Sequence, residues 1–271
     1  MTSIEASELL PLVTAIAHEA GAYQLAHRNN LVIGASKAHV NDLVSDVDIA
    51  SEKLIVNAIL QHRPDDGILG EEGISIPGSS GWQWVIDPID GTRNYVSGSG
   101  PWSVCIAGVH DGETQLAVVY NPELGETFSA VLEGGAFLNT TKIHTSSSSR
   151  LDQALLALSF NTSEATKQEM ANVLADLLPS VGDIRRYPAA LNLAYVAAGR
   201  VDAGIILDVK IWDVLAGYLI AKEAGAVLWG SGNKPMTDLT LVAGPNLGGL
   251  LRTELMGTFS ELRQDTNQLP A

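Results

Sequence analysis

Positive charge is scarce in this chain of 271 residues: 16 lysines and arginines stand against 31 aspartates and glutamates, a formal net charge of −15. That balance argues against nonspecific nucleic-acid binding and against an acidic membrane surface as a partner. It does not exclude an anionic substrate, because bound cations invert the local field. Cysteine is nearly absent. The single Cys105 allows no internal disulfide, which suits a reducing cytoplasm, the expected location, and its neighbours Val104 and Ile106 mark it as inert core. The six histidines are scattered without metal-ligand spacing, and no motif supports a serine or cysteine nucleophile. No run reads as a membrane span, and Glu5 and Glu8 stand where a secretory leader would be basic and then apolar. Low complexity is confined to Ser146–Ser149, and no internal repeat is visible.

What the chain does have is a dense stretch at Trp84-Val85-Ile86-Asp87-Pro88-Ile89-Asp90-Gly91-Thr92-Arg93-Asn94-Tyr95. An apolar approach reads as a buried strand that delivers Asp87 at its end. Pro88 denies the strand a backbone donor, and Gly91 permits a turn that other residues resist. A short helix starting at Thr92 would aim its free amides at the carboxylates. Asp, Pro and Gly also make ordinary surface turns. A buried strand ending in two repelling carboxylates, however, is better explained by a divalent cation with hard oxygen ligands.

Along the chain, Leu9, Leu10, Val13, Ile16, Ala17, Ala20 and Tyr23 recur at helical spacing, so Ser7 to Ala26 is expected to be a packing helix. Lys37 falls in a loop or hairpin. Ser45 is placed to cap a second helix, with Asp46 and Asp48 in its first turn. Ile68-Leu69-Gly70 reads as a short strand delivering Glu71 and Glu72. Trp102–His110, Gln115–Tyr120 and Glu126–Leu132 read as strands of an antiparallel portion of a mixed sheet. After residue 145 the pattern alternates: helix 168–178, strand 183–187, helix 190–198, strand 201–207, then a helix from Trp212 to Ala224 that carries Asp213 in its first turn. Two portions are therefore expected, 1–145 and 146–271.

The Asp87–Tyr95 motif, together with Gly70-Glu71-Glu72 and with Trp212-Asp213 followed by Ala216-Gly217, resembles the signature of the inositol monophosphatase family of magnesium-dependent, lithium-sensitive phosphatases. The resemblance implies an α+β or α/β fold, a layered αβαβα sandwich of the inositol monophosphatase and fructose-1,6-bisphosphatase type, commonly a homodimer. It also implies two or three magnesium ions held by Glu71, Asp87, the carbonyl of Ile89, Asp90 and Asp213. Thr92, with Glu72 or Asp46, would orient the attacking water, and the substrate would meet Asp90, Gly91, Thr92, Ala189 and Asp213.

The implied activity is hydrolysis of myo-inositol monophosphate or a related small phosphate ester, with no nucleic-acid or membrane partner. The chain departs from the inositol-contacting pattern at Tyr187-Pro188 and at Ile206, whose side chain cannot hydrogen-bond. Lys210 is a candidate for attracting a second anionic group. Histidinol phosphate, fructose 1,6-bisphosphate and 3′-phosphoadenosine 5′-phosphate remain alternative substrates, and a catalytically idle regulator on the same fold is the alternative from another class.

Overall fold

The computed structural model describes residues 2–29, 45–231, 238–255 and 263–264. Lys37 and residues 41–44 lie outside them. Helices α1 (Thr2–His27) and α2 (Asp46–His62) come first, and Ser45 caps α2 in a reciprocal capping box with Asp48. An eight-stranded sheet follows, built from β1 (Gly67–Gly70), β2 (Ser75–Ile76), β3 (Trp82–Asp90), β4 (Ser103–His110), β5 (Glu113–Asn121), β6 (Glu126–Val131), β7 (Gly135–Leu138) and β8 (Thr141–Lys142), with the short helix α3 (Thr92–Ser97) between β3 and β4. Its strand order is β2-β1-β3-β4-β5-β6-β7-β8, and only the β1–β3 pair is parallel. The remaining chain forms β9 (Leu155–Phe160), α4 (Glu164–Leu177), β10 (Asp183–Arg186), α5 (Ala189–Ala197), β11 (Ala203–Leu207), α6 (Ile211–Glu223), β12 (Val227–Ser231), β13 (Leu239–Ala243), α7 (Pro245–Leu255) and β14 (Arg263–Gln264). A second, six-stranded sheet runs in the order β10-β9-β11-β13-β12-β14.

The layering is written in the side-chain alternation. On β3, β4 and β5, Trp84, Ile86, Val104, Ile106, Leu116 and Val118 pack against α1 and α2. Their neighbours Val85, Cys105, Ala107, Ala117 and Val119 face the other way, onto α5 and α6. Strands buried on both faces read as near-continuous apolar runs, and residues 84–86, 104–109 and 116–119 do. The same logic explains α5, in which every residue is buried, because it lies between two sheets. On the far sheet Ala157, Ile206 and Val242 meet α5 and α6, whereas Leu156, Leu158, Ile205 and Leu241 meet α4 and α7. Five layers result, α1/α2, sheet, α5/α6, sheet, α4/α7, which is the expected αβαβα sandwich. The expected division at residue 145 separates the two sheets along the chain, yet the core around α5 and α6 draws side chains from both portions.

The strand expected to end at Asp87 runs on to Asp90. Asp87 pairs with Cys105 and Asp90 with Ser103, so three steps on β3 oppose two on β4. That extra residue is a bulge, the place in a sheet where Pro88 is tolerated without a ladder donor. None of the described helices is long and apolar enough to cross a membrane.

The central layer depends on close approach of α5 and α6. A Cβ on Gly217 would lie 2.7 Å from Leu193 Cβ and 3.1 Å from the Ala190 carbonyl oxygen. Gly217→Val should therefore cost about 1–3 kcal/mol in urea unfolding through overpacking; an unchanged midpoint would contradict the layer spacing.

Candidate active site

The bulge in β3, the β1–β2 hairpin and the start of α6 bring three carboxylates together. Oxygens of Glu71, Asp87 and Asp213, one from each, lie within 4.8 Å of one another. Asp87 is fully enclosed and its Oδ1 accepts from the Ile89 amide at 2.9 Å, so the bulge orients its own ligand. Buried Glu52 of α2 steadies the hairpin by accepting from the amides of Glu72 at 2.7 Å and Ile74 at 3.3 Å. Asp213 at the third position of α6 accepts from the Lys210 amide at 2.9 Å. Glu72 sits on the same hairpin, half-buried, outside the converging three.

Asp90 lies on the same side of the bulge and caps α5, accepting from Ala189 N–H at 3.3 Å and Ala190 N–H at 2.8 Å. The Ala189 amide, expected to meet a substrate hydroxyl, is thus already engaged. Pro188 supplies no donor, so the first free amides of α5 turn to the nearest carboxylate, while Ala189 still lines the cleft. Gly91 follows with φ +99°, and a Cβ there would come within 2.7 Å of Pro188 Cγ, so the turn from β3 into α3 has room only for glycine.

A correction concerns Asp46. The residue against Thr92 is Asp48: the Thr92 hydroxyl is 3.1 Å from Asp48 Oδ1 and 3.2 Å from the Ile89 carbonyl. Asp46 is exposed at the first position of α2. Two positions on, the helix has turned inward, and Asp48 joins the buried stripe of Ser51, Glu52 and Ile55. The capping spacing Ser45-x-x-Asp48 was the sequence signal for it. Gln24 of α1 was also missed. It is wholly buried and donates to the Pro88 carbonyl at 2.8 Å while accepting from Trp102 Nε1 at 2.9 Å, which clamps the bulge from behind.

Electrostatics agree with the geometry. Burial, then the charges of Glu71, Asp90 and Asp213, hold Asp87 well above the usual carboxylate range. Burial and the Glu71 and Asp90 charges do the same to Asp213, and Asp90 is pushed up to about 7, chiefly by burial. Asp48 is also raised, again first by burial. Three converging carboxylates, Asp87 buried and Glu71 and Asp213 half-buried, with only oxygen donors, fit a hard divalent cation such as magnesium.

Asp90 and Asp213 line a cleft of about 290 Å³ at the carboxyl ends of β3, β9, β10 and β11, where open α/β sheets commonly place their sites. Tyr187 and Lys210 line it. Ile206, at one of the places where the chain departs from the inositol-contacting pattern, is fully buried against the central helices, because odd and even positions of β11 face opposite layers.

An αβαβα sandwich with a carboxylate cluster suited to a divalent cation at its strand ends defines a phosphatase fold with a metal site. The chain belongs to the inositol monophosphatase family, whose model matches residues 5–263. It is 42% identical to the Nus factor SuhB of Xylella fastidiosa over 215 residues, covering 77% of each chain. The solved extragenic suppressor protein suhB of Bartonella henselae superposes with a TM-score of 0.84 at 30% identity, over 92% of this chain and 98% of that one. A Thermotoga maritima IMPase gives the same TM-score at 28% identity, over 93% and 98%.

The raised carboxylates set a pH dependence. In the metal-free protein Asp90 carries a folded pKa of about 7 against 3.8 ordinarily, so between those limits the native state binds more protons than the unfolded chain. Its contribution is favourable at low pH and is lost as pH rises through 7. A divalent cation removes that penalty. The rise in Tm on adding magnesium should therefore grow between about pH 5 and about pH 8; a rise equal at both ends would contradict the site.

Proposed function

We propose that this protein is a magnesium-dependent phosphomonoesterase acting on myo-inositol monophosphate or a related small phosphate ester, by in-line attack of water. The observation that carries the reading is the convergence of Glu71, Asp87 and Asp213 beside a cleft bounded by Asp90 and Gly91. Family membership supports the reaction class. Glu71, Asp87, the Ile89 carbonyl, Asp90 and Asp213 would hold two or three magnesium ions, which when bound lower the pKa of a water ligand and stabilise the leaving alkoxide.

The remaining work falls to the chain's own groups. We assign Gly91 and Thr92 the phosphate oxygens, through their amides. The Thr92 hydroxyl donates to Asp48 and so presents its lone pairs to a water. Asp48, kept above the usual carboxylate range by burial, is suited to take up the proton that the water loses. Glu72 is placed on the hairpin beside Glu71 as the other group able to orient that water. Asp90 and Asp213 fix the ester in the cleft. We further infer a cytoplasmic homodimer inhibited by lithium, as the family resemblance implies. Histidinol phosphate, fructose 1,6-bisphosphate and 3′-phosphoadenosine 5′-phosphate remain the competing substrates.

A second reading rests on the name of the 42%-identical relative, a Nus factor. On that reading the chain serves a protein assembly and turnover is incidental. The net charge of −15 favours protein over nonspecific nucleic-acid contacts in such a role. Retention of every expected carboxylate favours the enzyme.

Phosphate release with magnesium, across inositol 1-phosphate and the three competing esters, tests the reading, and chelation should abolish it. Asp48→Asn should lower kcat about a hundredfold or more, as expected for loss of a positioned base, whereas Asp46→Asn should stay within about threefold, as for a solvated surface change. Equal losses for the two variants would remove Asp48 from the mechanism, and a folded, magnesium-loaded protein inert toward all four esters would favour the second reading.

A further inference from the structure

The cleft that opens on Asp90 and Asp213 also presents Arg93, Arg186 and Lys210. Three cations around one opening stand out in a chain with 16 basic residues against 31 acidic ones. They arrive from separate elements, Arg93 from α3, Arg186 from the end of β10 and Lys210 from the residue before α6. Arg93 and Arg186 are near enough to feel each other: partial enclosure first, and then the charge of Arg93, pulls the Arg186 guanidinium below its usual range. An anion reaching Arg186 would offset what its surroundings and the Arg93 charge take from it.

Arg186 is held ready for one. Its guanidinium lies 4.0 Å from the centre of the Phe160 ring, and its Nη2 donates to the Phe160 carbonyl at 3.4 Å. Among the described residues no carboxylate pairs with it. Asp208 lines the same cleft, but its Oδ2 accepts the Thr166 hydroxyl at 2.5 Å. A stacked guanidinium with a fixed plane is suited to a two-pronged grip on carboxylate or phosphate oxygens.

We infer that the cleft takes a phosphate ester carrying a second anionic group, phosphate or carboxylate, which Arg186 and Arg93 grip while Lys210 adds a third positive charge. The inference rests on the phosphomonoesterase reading and specifies its substrate class: a doubly charged ester is preferred to a neutral polyol phosphate.

Matched pairs test it. Fructose 1,6-bisphosphate against fructose 1-phosphate varies a phosphate, and 2-phosphoglycerate against glycerol 2-phosphate varies a carboxylate. In the magnesium-loaded protein kcat/KM should favour the doubly charged member of at least one pair by about tenfold or more, and the pair that shows it identifies the second group. Arg186→Met should collapse that ratio toward one. Arg185→Met, whose arginine pairs with Asp183 and does not line the cleft, should keep it. Ratios near one in the wild type, or a ratio that survives Arg186→Met, would overturn the subsite. Binding is read separately, as the Tm rise each compound produces in wild type and Arg186→Met. Stronger binding of the doubly charged members through Arg186 without any phosphate release would keep the subsite and overturn the phosphatase reading. Absence of both preferences would overturn the subsite whatever the protein hydrolyses.

Discussion

Mutual repulsion of carboxylates in a poorly hydrated place is the constraint on which this structure turns. Asp87, Asp90 and Asp213 are each kept above their ordinary pKa by burial, with Glu71 adding to the strain on all three. Left to itself such a cluster would spread or take up protons. The fold prevents spreading by attaching each member to a different rigid element: Asp87 to a bulged strand inside the sheet, Glu71 to a hairpin gripped by Glu52, Asp213 to the first turn of a helix enclosed between two sheets. A divalent cation would relieve the repulsion, and on the proposed reading the scaffold and the ion form one design.

The bulge is the pivot of that arrangement. By adding one residue to β3 it lets two carboxylates, Asp87 and Asp90, leave the same strand on the site side, and it turns the Ile89 carbonyl toward Thr92. Gln24 holds the Pro88 carbonyl from α1, and Asp90 in turn caps α5. Helices from the outermost and central layers therefore both bear on one strand end. This is how an αβαβα sandwich converts packing between layers into placement of a few oxygens.

Much of this was legible beforehand, because the signals were local. Apolar runs in strands buried on both faces, the largely apolar α5 and the Asp-rich turn after Ile86 each declare themselves within a few residues. The failures share a physical cause, which is that the deciding partner is remote or the choice is a single position wide. Asp46 and Asp48 both suit a first helical turn, and only the inward face of α2 separates them. The contact of the Ala189 amide with Asp90, 99 residues away, leaves no local sign. Ile206 was set against the inositol-contacting pattern by resemblance, and strand alternation turns it into the core. Arg93 and Arg186 carry no joint signal in the sequence, because only β10 and α3 together set them around one cleft.

The central claim is that Glu71, Asp87 and Asp213 share a cation. Crystals soaked in manganese, which scatters anomalously and takes the same oxygen ligands as magnesium, address it without relying on turnover. The account predicts an anomalous peak within about 2.0–2.6 Å of carboxylate oxygens of all three residues. Occupied peaks elsewhere, with these three side chains left unligated, would contradict it.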